Sequence, residues 1–279
     1  MKKNTTTQIL ALLGILALFT IMLSIAIIIL QMKGVEQWRM TMAIMTLQNI
    51  GLFVLPAIIM ARIFNPGKTM SVMQLNRLPG IKHIIMMLLI YIASIPMMNM
   101  LIEWNESWHL PEALSCVENW LRTSEDSATA ATEQLLNVTS IGQLILVIIV
   151  VGILTGIGEE FIFRGTLQRI FLEQSNKIHC AIWVTAFIFS AIHMQFYGFL
   201  PRMLIGAFLG YLLVWSGSLW LPVLAHALNN SMAVISYHYE SVQNAYWIGE
   251  TQSTINIIIS TIITLALIYS YIKWIRIKE

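Results

Sequence analysis

The chain has 279 residues, of which 57% are hydrophobic and 11% charged, with a mean hydropathy of +0.75. A soluble domain carries roughly 25% charge, so this chain is too poor in charge to coat a water-facing surface and reads as an all-α, polytopic membrane helix bundle. A net charge of +2 excludes a nucleic-acid surface of the usual basic kind, and two cysteines, Cys116 and Cys180, exclude a disulfide framework or a zinc ribbon.

Runs of about 20 apolar residues mark spanning helices. The first, 9–30, follows Lys2 and Lys3. Its apolar core exceeds that of a signal peptide and no small-x-small cleavage site follows it, so it reads as a retained span. Further runs at 42–64, 83–102, 141–164, 178–196, 201–216, 218–238 and 255–274 bring the expected number to about eight. The sixth is short and its border with the seventh at Ser216-Gly217-Ser218 is tight, so seven spans and a re-entrant piece is the alternative.

With the N-terminus inside, Lys2, Lys3, Arg62, Lys68, Arg77, Lys82, Arg164, Arg169, Lys177, Lys273, Arg276 and Lys278 fall on the cytoplasmic side, and Lys33, Arg39, Arg122 and Arg202 outside. That split of 12 against 4 uses all 16 basic residues and obeys the positive-inside rule. Both termini are expected in the cytoplasm. The segment 103–140 then falls outside, rich in Glu and carrying Trp104, Trp108 and Trp120 for the headgroup zone. It reads as a solvated acidic loop, part of which could lie flat on the membrane, with a flexible break at Thr123–Ser127. The chain divides into N-terminal helices with the acidic loop (1–140), a helical core (141–240) and a last helix (241–279).

Small residues show where helices meet closely in lipid. Gly152 and Gly156 are spaced small-xxx-small, as are Gly206 and Gly210. The fourth and sixth spans are therefore candidates for the bundle interior, although the same glycines also serve packing alone.

Against this background stands Gly158-Glu159-Glu160-Phe161-Ile162-Phe163-Arg164. An ionised side chain at a helix centre in a bilayer costs roughly 2.5–3.5 kcal/mol on insertion scales, and such residues are by default functional. Residues four apart share a helix face, so Glu160 and Arg164 form a pair with the acid first, the better orientation. Position 163 is Phe, which leaves Glu159 without a basic partner and free for the work of a general base. Two later spans supply matching groups: His193, four residues after Phe189, and His226 with Asn230, four apart on one face. His83, His109, His179 and His238 lie near span ends or in loops and read as ordinary hydrogen-bonded residues.

Glu159-Glu160-x-x-x-Arg164, Phe189-x-x-x-His193 and His226-x-x-x-Asn230, in this order on successive apolar helices, resemble the three motifs of the CPBP intramembrane proteases. That family includes the eukaryotic CAAX prenyl endopeptidase of the Rce1 type and the bacterial Abi, or bacteriocin self-immunity, proteins. The match spans roughly 155–235. The resemblance implies that Glu159 activates water for attack on a peptide bond, with His193 in the same cluster. It also implies that His226 and Asn230 stabilise the oxyanion, while the spacing of Glu160 and Arg164 has that pair hold the helix end in shape. The family is commonly called metalloprotease, and a Glu/His/His set could hold a zinc with an open position. The zincin motif His-Glu-x-x-His is absent, so a glutamate-activated water without metal ligation stands beside it.

The expected partners are the bilayer and a peptide or protein substrate, lipidated or not, and no nucleic acid. The expected location is an integral multi-pass membrane protein, in the inner membrane if the host is bacterial. A non-proteolytic immunity or scaffold protein using the same polar cavity is the rival reading. A transporter fits less well, because the polar groups gather in one half without an inverted repeat. For Glu159 to meet His193, the fourth helix must continue past Arg164 toward Leu172, and that continuation is expected.

Overall fold

A computed structural model describes residues 4–247, 249 and 252–276. Lys2, Lys3 and Lys278 of the charge count lie outside the described residues. Among the described residues the regular structure is helical throughout: α1 (Thr5–Met32), α2 (Gln37–Phe64), α3 (Ile81–Glu106), α4 (Ser115–Leu136), α5 (Ile141–Ser175), α6 (Ile178–Ala191), α7 (Phe199–Ser216), α8 (Trp220–His238) and α9 (Thr254–Arg276), with short helical turns between them.

Every expected span is a helix, with shifted ends. Six segments are long and apolar enough to cross a membrane, so this is a multi-pass integral membrane protein. Two expected spans fall outside that set, α8 by its polar residues and α6 by its length. α8 has 19 residues with His, Asn and Ser among them. α6 stops at Ala191 after 14 residues, about 21 Å at 1.5 Å per residue, against a hydrocarbon core of about 30 Å. It ends where the chain turns: Met194 takes a left-handed φ of 55°, and the Ser190 hydroxyl donates to the Phe199 carbonyl at 2.6 Å, closing the turn onto α7. The expected span to 196 is corrected accordingly, and His193 sits in this turn.

The acidic segment is also corrected. It contains α4, and Thr123–Ser127 lies inside that helix. The hydroxyls of Thr123, Ser124 and Ser127 donate to the carbonyls of Asn119, Trp120 and Thr123, one turn back. Such bonds let Ser and Thr sit within a helix. Arg122 reaches Glu118 at 2.8 Å. The hydrogen bonds from Arg122, then His109, hold the Glu118 carboxyl below its usual range. This tie is therefore complete above the ordinary carboxylate pKa and is lost only as pH falls through the lowered one.

α5 is the organising element. It packs against α2, α6 and α8, and touches α1 and α7. It runs unbroken to Ser175, as the meeting of Glu159 with the later motifs requires, and Glu159 lies 18 residues after its start and 16 before its end. Two wide π turns, Ile148–Leu154 and Phe163–Gln168, interrupt its regular winding. The apolar faces of α1 are largely exposed, with Leu13, Leu18, Ile21 and Ile25 pointing outward, a surface that suits lipid and not water.

Glycines bring α8 onto α5. A Cβ on Gly156 would lie 2.9 Å from the backbone nitrogen of Ala227, and one on Gly152 would overlap the Ser231 side chain. A Cβ on Gly206 would lie 3.0 Å from the Phe189 ring. Both small-xxx-small pairs thus mark real helix crossings. Gly156→Val should lower stability by about 1–3 kcal/mol, the usual cost of overpacking. Gly14→Val, where nothing lies within 4 Å, should leave it nearly unchanged. Thermal unfolding of the two purified variants in detergent checks this, and equal midpoints would mean that the crossing tolerates a side chain.

Candidate active site

The charged motif occupies the middle of α5, where the helix opens into its second π turn. Single wide turns of this kind are frequent at functional sites. Arg164 lies in the turn and donates from Nη1 to Glu160 Oε1 at 2.8 Å, with both side chains fully buried. Its Nη2 donates to the Gly206 carbonyl of α7 at 2.7 Å, and its guanidinium carbon lies 4.8 Å from the centre of the Phe189 ring.

His226 completes the knot. Its Nδ1 donates to the same Glu160 Oε1 at 2.7 Å. That assignment leaves Nε2 facing Glu159 Oε2 at 3.6 Å, longer than a direct hydrogen bond. Adjacent carboxylates on a helix diverge by about 100°, and the imidazole spans that angle, one nitrogen to each. Glu159 is 12% exposed at its side chain while Glu160 is sealed. Glu159 is thus not wholly without a partner, as the sequence suggests, but faces an imidazole across a gap.

The remaining motif residues stand around these. His193 donates from Nδ1 to the Phe189 carbonyl at 2.7 Å. The His193 and His226 rings both pack on the Phe189 ring, with centroids at 5.1 and 5.9 Å. Phe189 thereby touches Arg164, His193 and His226, a role the sequence shows only as a spacing of four. Asn230 turns toward α5, donating from Nδ2 to the Val151 carbonyl at 3.3 Å, and forms no hydrogen bond with His226 even though both lie on α8. The structure therefore brings Glu159, Glu160, Arg164 and His226 into one cluster, places His193 against it through Phe189, and commits Asn230 to the helix backbone one crossing away. His83 and His179 meet Tyr271 and Tyr211 hydroxyls at 2.6 and 2.7 Å, as ordinary satisfied histidines do.

A zinc fits this donor set poorly. Among the described residues no group of three His, Cys, Asp or Glu side chains is arranged to hold a metal ion. Glu160 Oε1 is already shared by Arg164 and His226. A separate groove of about 500 Å³ lies between α1, α2 and the start of α5, lined by apolar residues such as Ile29, Met42 and Val150, and holds none of the motif side chains.

The fold and cluster define a class: a multi-pass membrane protein with paired carboxylates and an imidazole joined inside the bundle. Residues 141–232 match the family described as type II CAAX prenyl endopeptidase Rce1-like, and the resemblance read from the three motifs holds over that stretch. A 100-residue segment is 28% identical to the uncharacterized protein YpbD of Bacillus subtilis (strain 168), covering 34% of this chain and 48% of that protein. The chain thus matches about half the length of this curated relative. No solved structure matches.

The buried pair yields a prediction. Removing one member, by Arg164→Met or Glu160→Leu, strands a charge and should cost about 3–5 kcal/mol. The double variant should cost clearly less than the sum. Thermal unfolding in detergent through the double-mutant cycle checks this, and strict additivity would show that the pair is uncoupled.

Proposed function

We propose that this chain is an intramembrane endopeptidase that hydrolyses a peptide bond of a membrane-presented substrate through water activated by Glu159. The observation that carries the reading is the division of labour between neighbouring carboxylates. Glu160 is sealed from solvent and its Oε1 is held by both Arg164 and His226, whereas Glu159 keeps partial exposure and faces the second imidazole nitrogen across 3.6 Å.

In this reading Glu159 takes a proton from water as its oxygen bonds to the scissile carbonyl carbon. The tetrahedral adduct then collapses, the C–N bond breaks, and the proton passes from Glu159 to the leaving nitrogen. Glu160 fixes the imidazole of His226 with Nε2 toward Glu159. A protonated His226 makes the cluster neutral, two carboxylates against one guanidinium and one imidazolium, which suits a low-dielectric interior. It also makes Nε2–H a donor for the developing oxyanion, a contribution of about 10²–10³-fold in rate for a preorganised donor. Asn230 joins as a second donor by releasing the Val151 carbonyl. His193, held by its Nδ1, offers Nε2 to the substrate side. The family match over residues 141–232 supports the reaction class.

Glu159→Gln should lower cleavage by about 10²–10⁴-fold, the span typical of a lost general base, while leaving insertion and thermal stability intact. The measurement is proteomics of C-terminal peptides in cells carrying wild type or the variant. A set of new C-termini that vanishes with Glu159→Gln supports the proposal, and an identical set in both, with the biological phenotype kept, points to a non-proteolytic scaffold. Once a substrate is in hand, cleavage should persist in EDTA. Loss on chelation with recovery on added zinc would replace the metal-free step.

A further inference from the structure

Arg202 is the charged residue that the motifs leave out. It lies in the first turn of α7 and is the sole Asp, Glu, Lys or Arg between positions 178 and 220. The other buried guanidinium near the site, Arg164, is neutralised by Glu160. Arg202 is not. Among the described residues it forms no ion pair within 4.0 Å, and its hydrogen bond goes from Nη2 to the neutral amide oxygen of Gln195 at 2.8 Å. Its Nη1 is buried with no partner. A half-buried cation with a buried N–H left unpaired is expensive unless an anion arrives.

The surroundings hold that group in place. Gln195 donates from Nε2 to Glu125 of α4 at 3.3 Å, and the Tyr197 backbone N–H donates to the same carboxylate at 3.4 Å. Arg122 of α4 stacks over the Tyr197 ring at 4.3 Å. The turn carrying His193 is therefore clamped between α4 and Arg202. Arg202 is held through Gln195 against the turn that carries His193, so an anion bound there lies beside that turn.

We infer that Arg202 is an anion-binding residue of the active site, whose Nη1 receives a negatively charged oxygen of the bound substrate. The inference rests on the hydrolase reading for the identity of the ligand as a peptide. One chemistry has two sources here: a substrate carboxylate, or the oxyanion of the tetrahedral adduct. A guanidinium serves either, since it always carries charge and presents its donors in a fixed fork.

The test uses the full chain in lipid nanodiscs and three fluorescent apolar tetrapeptides. One ends in a free carboxylate and one in a carboxamide; the third has both ends blocked and a phosphinate in place of its central peptide group. Wild type should bind at least one anionic probe about tenfold or more tightly than the carboxamide, as one charge-assisted hydrogen bond allows. Arg202→Gln and Arg202→Met should erase that preference, Arg202→Lys should restore part of it, and Glu159→Gln should keep it. Preference for the carboxylate places Arg202 at a substrate terminus, and preference for the phosphinate places it at the oxyanion. Thermal unfolding identifies which neutral variant folds, and either one that does decides the matter. A wild type that does not distinguish the probes, or a folded neutral variant that still does, overturns the inference. Anion preference without any substrate cleavage would instead fault the hydrolase reading and leave Arg202 as a binding residue.

Discussion

Everything near the site depends on one carboxylate oxygen. Glu160 Oε1 accepts from Arg164 on its own helix and from His226 on α8, while the second terminal nitrogen of Arg164 is anchored to the Gly206 carbonyl of α7. Each ion taken alone would carry a desolvation penalty of several kcal/mol. Together they compensate one another only in a single relative placement of three helices. Such a knot adds little net stability compared with apolar packing, but it penalises every other arrangement. Its value here is to fix the imidazole with one nitrogen spent, so that the other has a defined direction.

The knot sits beside a crossing where the helix backbones meet with no room for side chains. Gly152, Gly156 and Glu160 follow one another at intervals of four on α5, and they meet Ser231, Ala227 and His226 in descending order on the antiparallel α8. The glycine crossing and the Glu160–His226 bond are thus successive contacts along one seam. In lipid, where apolar surface gains nothing by leaving the solvent, close approach by small residues is a principal source of helix association. The seam supplies the proximity and the ion cluster supplies the register.

Much of this was legible in the sequence because a bilayer makes polarity conspicuous. The spans, the Glu160–Arg164 pair and the glycine crossings follow from periods of four and from the cost of charge in lipid. The early end of α6 was not legible, since residues 178–196 hold no Asp, Glu, Lys, Arg, Gly or Pro to mark a break, and the stop depends on a Ser190 hydroxyl finding the Phe199 carbonyl. The helicity of α4 was obscured by Thr and Ser, whose hydroxyls favour turns in short range and here bond back along the helix. The partner choice of Asn230 was equally hidden, because spacing on α8 gives a face and not which backbone carbonyl that face will meet.

The early end of α6 has a consequence for how the turn after it is satisfied. Irregular backbone at membrane depth is tolerated only when it is buried in protein or lines a polar cavity. Residues 192–198 satisfy this by handing their polar groups to Glu125, Asn105 and Arg202: the Phe196 carbonyl accepts from Asn105, the Tyr197 N–H donates to Glu125, and Gln195 bridges Glu125 to Arg202. A full-length α6 would have satisfied its own backbone and had no use for these side chains. By stopping short, it gathers a carboxylate from α4, a carboxamide from α3 and a guanidinium from α7 around the turn that carries His193. The residues that make the broken helix tolerable thus come from three other helices, so the turn that carries His193 is positioned by α3, α4 and α7 together.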